Sequence, residues 1–272
     1  MKSPLISIIT VNLNNINGLR KTMSSVLDQT WKDFEYIIID GASTDSSRDF
    51  VAINQSELSY WVSEPDSGIY NAMNKGIAKA KGDYLFFLNS GDILFKPATL
   101  ENIAPHLGQA DVLYGNLVKI YPDGKEEIDK GVGGKGISLQ TFIDYNLNHQ
   151  ATFIKRNLFK TYGFYDENLK IVSDWKFFLI ALGLNNSRVQ YVDLEISKFD
   201  MTGMSSNFSE RDEERRKVIR ELIPVPVYLD YLKLKECRNI LNSPRVQQFL
   251  ETDQQRSLRK LHSIIFRLFS KT

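Results

Sequence analysis

The chain has 272 residues, 42% of them hydrophobic, with 34 Lys plus Arg against 33 Asp plus Glu and a formal net charge of +1. That balance argues against a nucleic-acid partner, and a single cysteine, Cys237, excludes an internal disulfide or a cysteine-built zinc site. No apolar run reaches about 18 residues, so no membrane-spanning helix is expected, and the short polar opening Met1–Thr10 reads as a first strand rather than a signal peptide. A cytoplasmic protein made of one large domain, or of a domain with an appendage, is the expectation.

Leu5–Val11 is apolar and β-branched, a buried strand, and Asn12-Leu13-Asn14-Asn15 turns the chain into a helix over Gly18–Gln29. Phe34–Ile39 is a second strand that ends in Asp40, and a helix is expected over Ser46–Gln55. Tyr60–Val62 is a third strand, followed by Glu64-Pro65-Asp66-Ser67-Gly68 and a helix over Ile69–Ala80. Tyr84–Leu88 is a fourth strand, closed by Asn89-Ser90-Gly91-Asp92. Strand and helix thus alternate, with polar residues after each strand, which is the pattern of a doubly wound, mostly parallel α/β sheet. Ligands of such sheets bind beyond the carboxyl ends of the strands. Asp40, Asp66 and Asp92 each follow a strand and are expected to share that edge.

Further on, Pro97–His106 reads as a helix opened by proline and Asp111–Ile120 as a strand. Pro122-Asp123-Gly124-Lys125 is a hairpin turn, and Gly131–Gly136 reads as an active-site loop or a linker rather than a phosphate cradle. His149, just before a short strand at Ala151–Ile154, is either a hydrogen-bonded structural histidine or a group facing metal, diphosphate or acceptor. Ser173 reads as a helix N-cap, with Asp174 in the first turn, where the helix dipole favours a carboxylate. Arg188–Leu194 is a strand, Phe199–Phe208 a loop, and Arg211–Lys217 starts a charged helix. Composition changes from Pro224. A helical extension over 207–272 is expected to follow a nucleotide-binding and catalytic domain over 1–206. Its last stretch, residues 256–271, interleaves Arg and Lys with Leu, Ile and Phe, a pattern that suits an anionic membrane surface, docking on the domain or a homo-oligomer contact.

Several motifs in order resemble the family 2 glycosyltransferases of the GT-A fold, over roughly Ser3–Ser206. They are Ile6–Asn12, Gln29–Glu35, Asp40-Gly41-Ala42-Ser43-Thr44-Asp45, Glu64–Tyr70 running on to Asn74-Lys75-Gly76, Asn89-Ser90-Gly91-Asp92 in the place of a D-x-D motif, and Ser173-Asp174-Trp175 in the place of an E-D base motif. The resemblance implies a GT-A type sheet and transfer of a sugar, with inversion, from a nucleoside-diphosphate sugar, most simply a UDP-sugar. The receiving hydroxyl would belong to a sugar or lipid-linked sugar, in surface polysaccharide or glycoconjugate synthesis. It implies that Thr10, Asn12 and Asp40 contact the nucleotide base and that Asp66 faces base or ribose. Lys75 and Gly76 would lie near the nucleotide, with Asn89 and Gly91 in the D-x-D segment. Asp92 would bind Mn²⁺ or Mg²⁺ and Asp174 would be the general base.

The chain departs from that pattern at Asn89, Gly91 and Gly41, where the family often has aspartates, so the metal site carries less charge. His149 or the donor diphosphate would then supply the missing ligation. Two other readings are a non-catalytic nucleotide-sugar-binding module and a sugar-phosphate nucleotidyltransferase. The latter needs a glycine-rich basic loop after the first strand, and Asn12-Leu13-Asn14-Asn15 has neither glycine nor charge.

Overall fold

Four strands open the chain, the first, second and fourth with almost wholly buried side chains and the third half-buried, and helices cover them on both faces. The computed structural model describes residues 5–201 and 208–269. The first strands are β1 (Ile6–Asn12), β2 (Phe34–Asp40), β3 (Tyr60–Ser63) and β4 (Tyr84–Phe87). Between them run α1 (Ile16–Leu27), α2 (Ser47–Ile53) and α3 (Ile69–Lys79). All are parallel, in the order β3-β2-β1-β4. Period-two alternation sorts the two faces. Ile6, Ile8, Tyr36, Ile38 and Phe86 pack with Leu19, Met23 and Val26 of α1. On the other face Gly76 of α3 lies against Ile9 and Ile39, so close that a Cβ there would meet Ile9 Cγ2 at 2.5 Å. Burial on both faces is why these strands read as continuous apolar runs.

The sheet then turns mixed. Its later strands are β5 (Ile93–Leu94), β6 (Val112–Ile120), β7 (Glu126–Asp129), β8 (Thr152–Lys155) and β9 (Val189–Asp200). Among the described residues the order continues β4-β8-β6-β9-β5, with β7 paired to β6. Strand β8 is antiparallel to β4 and β6, β9 is parallel to β6, and β5 is antiparallel to β9. The expected hairpin at Pro122–Lys125 is present: Tyr121 N–H bonds to Lys125 C=O at 2.9 Å, and Gly124 takes φ +81°. Helices α4 (Thr99–Ile103), α5 (Leu139–Asp144), α6 (Asn157–Tyr162) and α7 (Ser173–Phe178) fill the connections, and α7 runs into a π-helical stretch at Leu179–Leu184.

Two local expectations do not hold. Ser173 is not the N-cap: it is already helical, Val172 is the cap residue, and Ser173 Oγ has no partner. One helix-end N–H group there, that of Val172, is met from a distance. The Glu214 carboxylate, on α8 (Phe208–Leu222), accepts from Lys170, Ile171 and Val172 at 2.7, 3.0 and 3.2 Å. Nor does a loop begin at Phe199. Pairing of Lys198 with Ile93, and of Phe199 and Asp200 with Lys119 and Ile120, carries β9 on to Asp200. The rest of that expected loop, 202–207, lies outside the described residues.

The chain divides into two compact units, Met1–Val218 and Ile219–Thr272. The second holds α9 (Val225–Leu241), α10 (Pro244–Asp253) and α11 (Arg256–Phe269). Cys237 is an exposed residue of α9. No helix among the described residues is long and apolar enough to cross a membrane.

Candidate active site

The segment after β4 is held from below by α1. Asn15, the N-cap of α1, donates to Ser90 C=O at 3.0 Å. Thr22 Oγ1 donates to Asp92 C=O at 2.7 Å and accepts from Gly91 N–H at 2.9 Å. Gly91 adopts φ +110°, a conformation that side chains disfavour, so an aspartate at this position would strain the turn. The result aims Asp92 into a cleft of about 420 Å³ lined by Asn15, Lys21, Asn89, Asp92, Phe199 and Asp200. Asp92 is buried, and its Oδ2, like Asn89 Oδ1, has no hydrogen-bond partner. Burial pushes its carboxyl up to about 7, against the pull of the nearby His149 and a bond from the Asn89 backbone.

His149 opens a 3₁₀ turn at the head of β8 and Asp174 lies in the first turn of α7. Their side chains meet: His149 Nδ1 is 3.0 Å from Asp174 Oδ2. Tyr70 of α3 donates to Asp174 Oδ1 at 2.9 Å, and Asn146 reaches Oδ2 at 3.4 Å. The far nitrogen, His149 Nε2, lies 3.4 Å from Asn89 Nδ2, on the segment that carries Asp92. An aromatic cluster of Tyr70, Phe87, Phe159, Tyr165 and Phe177 packs together alongside, with Tyr70 and Tyr165 centroids 5.5 Å apart. Burial there works against the Asp174 carboxylate, yet the bond and charge of His149 and the bond from Tyr70 hold it below the usual range. Burial likewise opposes the imidazolium, but Asp174 and Asp92 raise the affinity of His149 for a proton.

The other side of Asn89-Ser90 opens on a cleft of about 320 Å³ lined by Val11, Asn12, Leu13, Asp66, Ile69 and Ser90. The two clefts therefore share the segment after β4. Asp40 does not face either one. It is fully buried and accepts from Asn12 Nδ2, Ser43 N–H, Ser43 Oγ and Ser63 Oγ at 2.8, 3.0, 2.5 and 2.6 Å. Thr10 is equally internal, donating to Leu88 C=O at 2.8 Å. Asn12 is the member that borders the cleft, and its Oδ1 is unpartnered. Lys75 is paired with Glu64 at 2.9 Å and donates to Pro65 C=O at 2.8 Å, so it fastens the Asp66 loop to α3. Asp66 accepts from Gly68 N–H at 3.0 Å, while its other oxygen occupies the space that a Cβ on Gly41 would need.

Among the described residues no group of three His, Cys, Asp or Glu side chains could hold a cation. The chain offers Asp92 Oδ2, Asn89 Oδ1 and, in the same neighbourhood, His149 Nε2. Unpartnered oxygens, few in number, fit a hard cation that takes its remaining ligands from phosphates. The sequence pattern does not single out Thr22, Asn146 or Glu214. Tyr70 lies inside the quoted Glu64–Tyr70 motif, but its partner Asp174 is 104 residues away, a distance at which no periodicity speaks.

Comparison with known proteins agrees with this architecture. Residues 7–163 match Glycosyl transferase family 2. A PGL/p-HBAD biosynthesis glycosyltransferase of Mycobacterium bovis is 30% identical over 213 residues, 76% of this chain and 81% of the relative. An uncharacterized glycosyltransferase of Mycobacterium tuberculosis is 34% identical over 212 residues, 75% and 78% of the two chains. Among solved structures, S. aureus TarS 1-349 in complex with UDP-GlcNAc superposes with a TM-score of 0.64 at 18% identity, over 79% of this chain and 64% of that one. The chain thus spans less than two thirds of that protein. The mannosyltransferase PcManGT from Pyrobaculum calidifontis, in complex with GDP-Man and Mn²⁺, gives 0.58 at 13% identity, over 100% and 89%. These two likenesses show the shared fold. By its family match and its curated relatives, the chain belongs to glycosyl transferase family 2 and is a glycosyltransferase.

Proposed function

We propose that this chain moves a sugar from a nucleoside-diphosphate sugar, most simply a UDP-sugar, to the hydroxyl of a sugar or lipid-linked sugar, inverting the anomeric carbon. The observation that carries the reading is the unanswered Asp92 Oδ2 at the strand edge, in the neighbourhood of the buried His149–Asp174 pair. Asn12 Oδ1 and Asp66 are acceptors on the adjoining cleft and suit the N–H and hydroxyl groups of a nucleoside. Complexes of TarS with UDP-GlcNAc and of PcManGT with GDP-Man and Mn²⁺ support that class of donor.

Asp92, with Asn89 and His149 beside it, would hold Mn²⁺ or Mg²⁺ against the donor diphosphate. When bound, that cation neutralises the charge that develops on the leaving diphosphate. Asp174 is the proton acceptor in this reading. Tyr70, His149 and Asn146 fix its carboxylate and keep it ionised, and the aromatic wall keeps water from it. Removal of the hydroxyl proton as the oxygen attacks contributes about 10²–10⁴-fold for a positioned base. Asp40 and Thr10 act one layer back, Asp40 holding Asn12 and the turn after β2 in shape and Thr10 fixing the end of β4 through Leu88 C=O. A role in polysaccharide or glycolipid assembly fits the mycobacterial relative named for PGL/p-HBAD biosynthesis.

Thermal denaturation with nucleoside diphosphates tests the donor site. UDP with Mn²⁺ should raise the Tm, by linkage worth about 2.7 kcal/mol at a hundred times Kd. Asp92→Asn should remove the part that depends on Mn²⁺. Absence of a shift with UDP, GDP and every other nucleoside diphosphate rejects the reading.

A further inference from the structure

Helix α11 reads Arg256-Ser257-Leu258-Arg259-Lys260-Leu261-His262-Ser263-Ile264-Ile265-Phe266-Arg267-Leu268-Phe269. At 3.6 residues per turn, Leu258, Leu261, Ile264, Ile265 and Leu268 fall on one face, while Lys260 flanks its edge beside Ile264 and Arg267 and Arg256 follow it round onto the polar side. The helix holds no Asp or Glu.

Its neighbour α10 covers a different flank. Phe249 stacks near His262 and Phe266, with ring centroids 4.6 and 5.7 Å away. Asp253 Oδ1 lies 3.1 Å from His262 Nδ1, and Arg259 Nε donates to Asp253 C=O at 2.9 Å. His262, Phe266 and Arg259 are therefore the side that packs on α10. The apolar face is turned elsewhere: Leu261, Ile264, Ile265 and Leu268 are between 41% and 73% exposed. Burying such side chains is worth far more than leaving them in water, so a face this regular calls for a covering.

We propose that α11 lies in the plane of an anionic lipid surface, its apolar face among the acyl chains and Arg256, Lys260 and Arg267 reaching the headgroups. Two features choose lipid over a second copy of the chain. Lys260 at the edge and Arg267 and Arg256 next to it form one basic stripe on the polar side, from which long basic side chains reach headgroup phosphates while the apolar face enters the acyl layer. A second α11 would bring more cations and no carboxylate to answer them. The charge of the surrounding unit points the same way: residues 219–272 carry ten Lys and Arg against five Asp and Glu, in a chain whose net charge is +1. Attraction to anionic lipid grows with each cation near the surface.

Flotation of the full-length protein with vesicles of phosphatidylcholine, alone and with added phosphatidylglycerol, tests this surface. The intact chain should float with the anionic vesicles, poorly with the neutral ones, and less as salt is raised. Ile264→Glu together with Leu268→Glu should abolish flotation while leaving the Tm in place. Replacing Arg256, Lys260 and Arg267 by Gln should weaken binding by roughly fivefold per charge. As a second readout, tryptophan introduced by Ile265→Trp should be quenched by lipids brominated along the acyl chain. Failure of the intact chain to bind anionic vesicles overturns the proposal, as does binding that survives the paired Glu substitutions. Concentration-dependent dimers that those substitutions dissociate, without vesicle binding, would give this face to a second copy instead.

Discussion

His149 Nδ1 lies 3.0 Å from Asp174 Oδ2; Asp174 raises the affinity of the imidazole for a proton, and His149 helps hold the Asp174 carboxyl below its usual range, although burial disfavours both charges. In the proposed mechanism the pair divides the work between a base and its positioning residue. Asp174→Asn should lower kcat by roughly 10²–10⁴-fold while sparing the thermal shift with donor and Mn²⁺. His149→Gln should cost less, because Tyr70 and Asn146 still hold the carboxylate. Initial rates of both variants check this, and a loss in His149→Gln as large as that in Asp174→Asn would move the proton to the imidazole.

Gly41 lies against the Asp66 carboxylate, and its lack of a side chain leaves that carboxylate room. A Cβ there would collide with Asp66 Oδ2. Asp66 is the far end of a rotatable side chain, so Gly41→Ala should fold but turn Asp66 away from its bond with Gly68 N–H. The expected outcome is a Tm within a few degrees of wild type and a weaker Kd for the nucleoside diphosphate, read by calorimetry. Unchanged affinity would remove Asp66 from the donor site.

The parts of this fold that local pattern records are the ones a reader of the chain finds. Strands β1, β2 and β4 are buried on both faces, so their apolar runs announce them, and the acidic residues after the strands follow from strand order. Strand β5 has two residues and exists only because Ser197 and Lys198 pair with it. The same pairing lengthens β9 and brings Phe199 and Asp200 to the cleft beside Asp92. Ser173 looks like a cap because serine often is one, but Val172 is the cap residue, and Glu214, about forty residues on, holds the N–H groups of the three residues before Ser173. Asp40 sits at a strand end as expected, yet four donors enclose it, and no spacing rule distinguishes a carboxylate that faces a ligand from one that braces a turn.

Glu214 should matter to catalysis without being near the donor. Its carboxylate accepts from three consecutive N–H groups immediately before Ser173 and Asp174. Glu214→Ala hands the two exposed donors to water and leaves the part-buried Val172 N–H unanswered, at a cost of about 1 kcal/mol. Chemical denaturation should show a lower midpoint, and kcat should fall as Asp174 loses its fixed position. Glu214→Gln retains one acceptor oxygen and should recover part of both losses.

Asp111 ties the starts of β6 and β9 to the end of β8, and its ionisation sets an acid limit on the sheet. It accepts from Arg188 N–H at 3.0 Å and pairs with Lys155 and Arg188 at 3.4 and 3.5 Å. Desolvation opposes the carboxylate, but the bond from Arg188 and the two cations outweigh it and hold the group below its ordinary value. A depressed pKa in the folded state means that the contribution to stability is present above the unfolded value of about 3.9 and is lost as pH falls through the folded value. Asp111→Asn should therefore cost roughly 1 kcal/mol near neutral pH, the pair being partly exposed to solvent and screened. As pH falls below about 4 the difference should begin to shrink, and it should vanish only once the pH is below the depressed folded value, where wild type carries an uncharged group too. Urea midpoints across that range measure the convergence, and a constant difference at every pH would show that packing, not charge, is what the substitution removes.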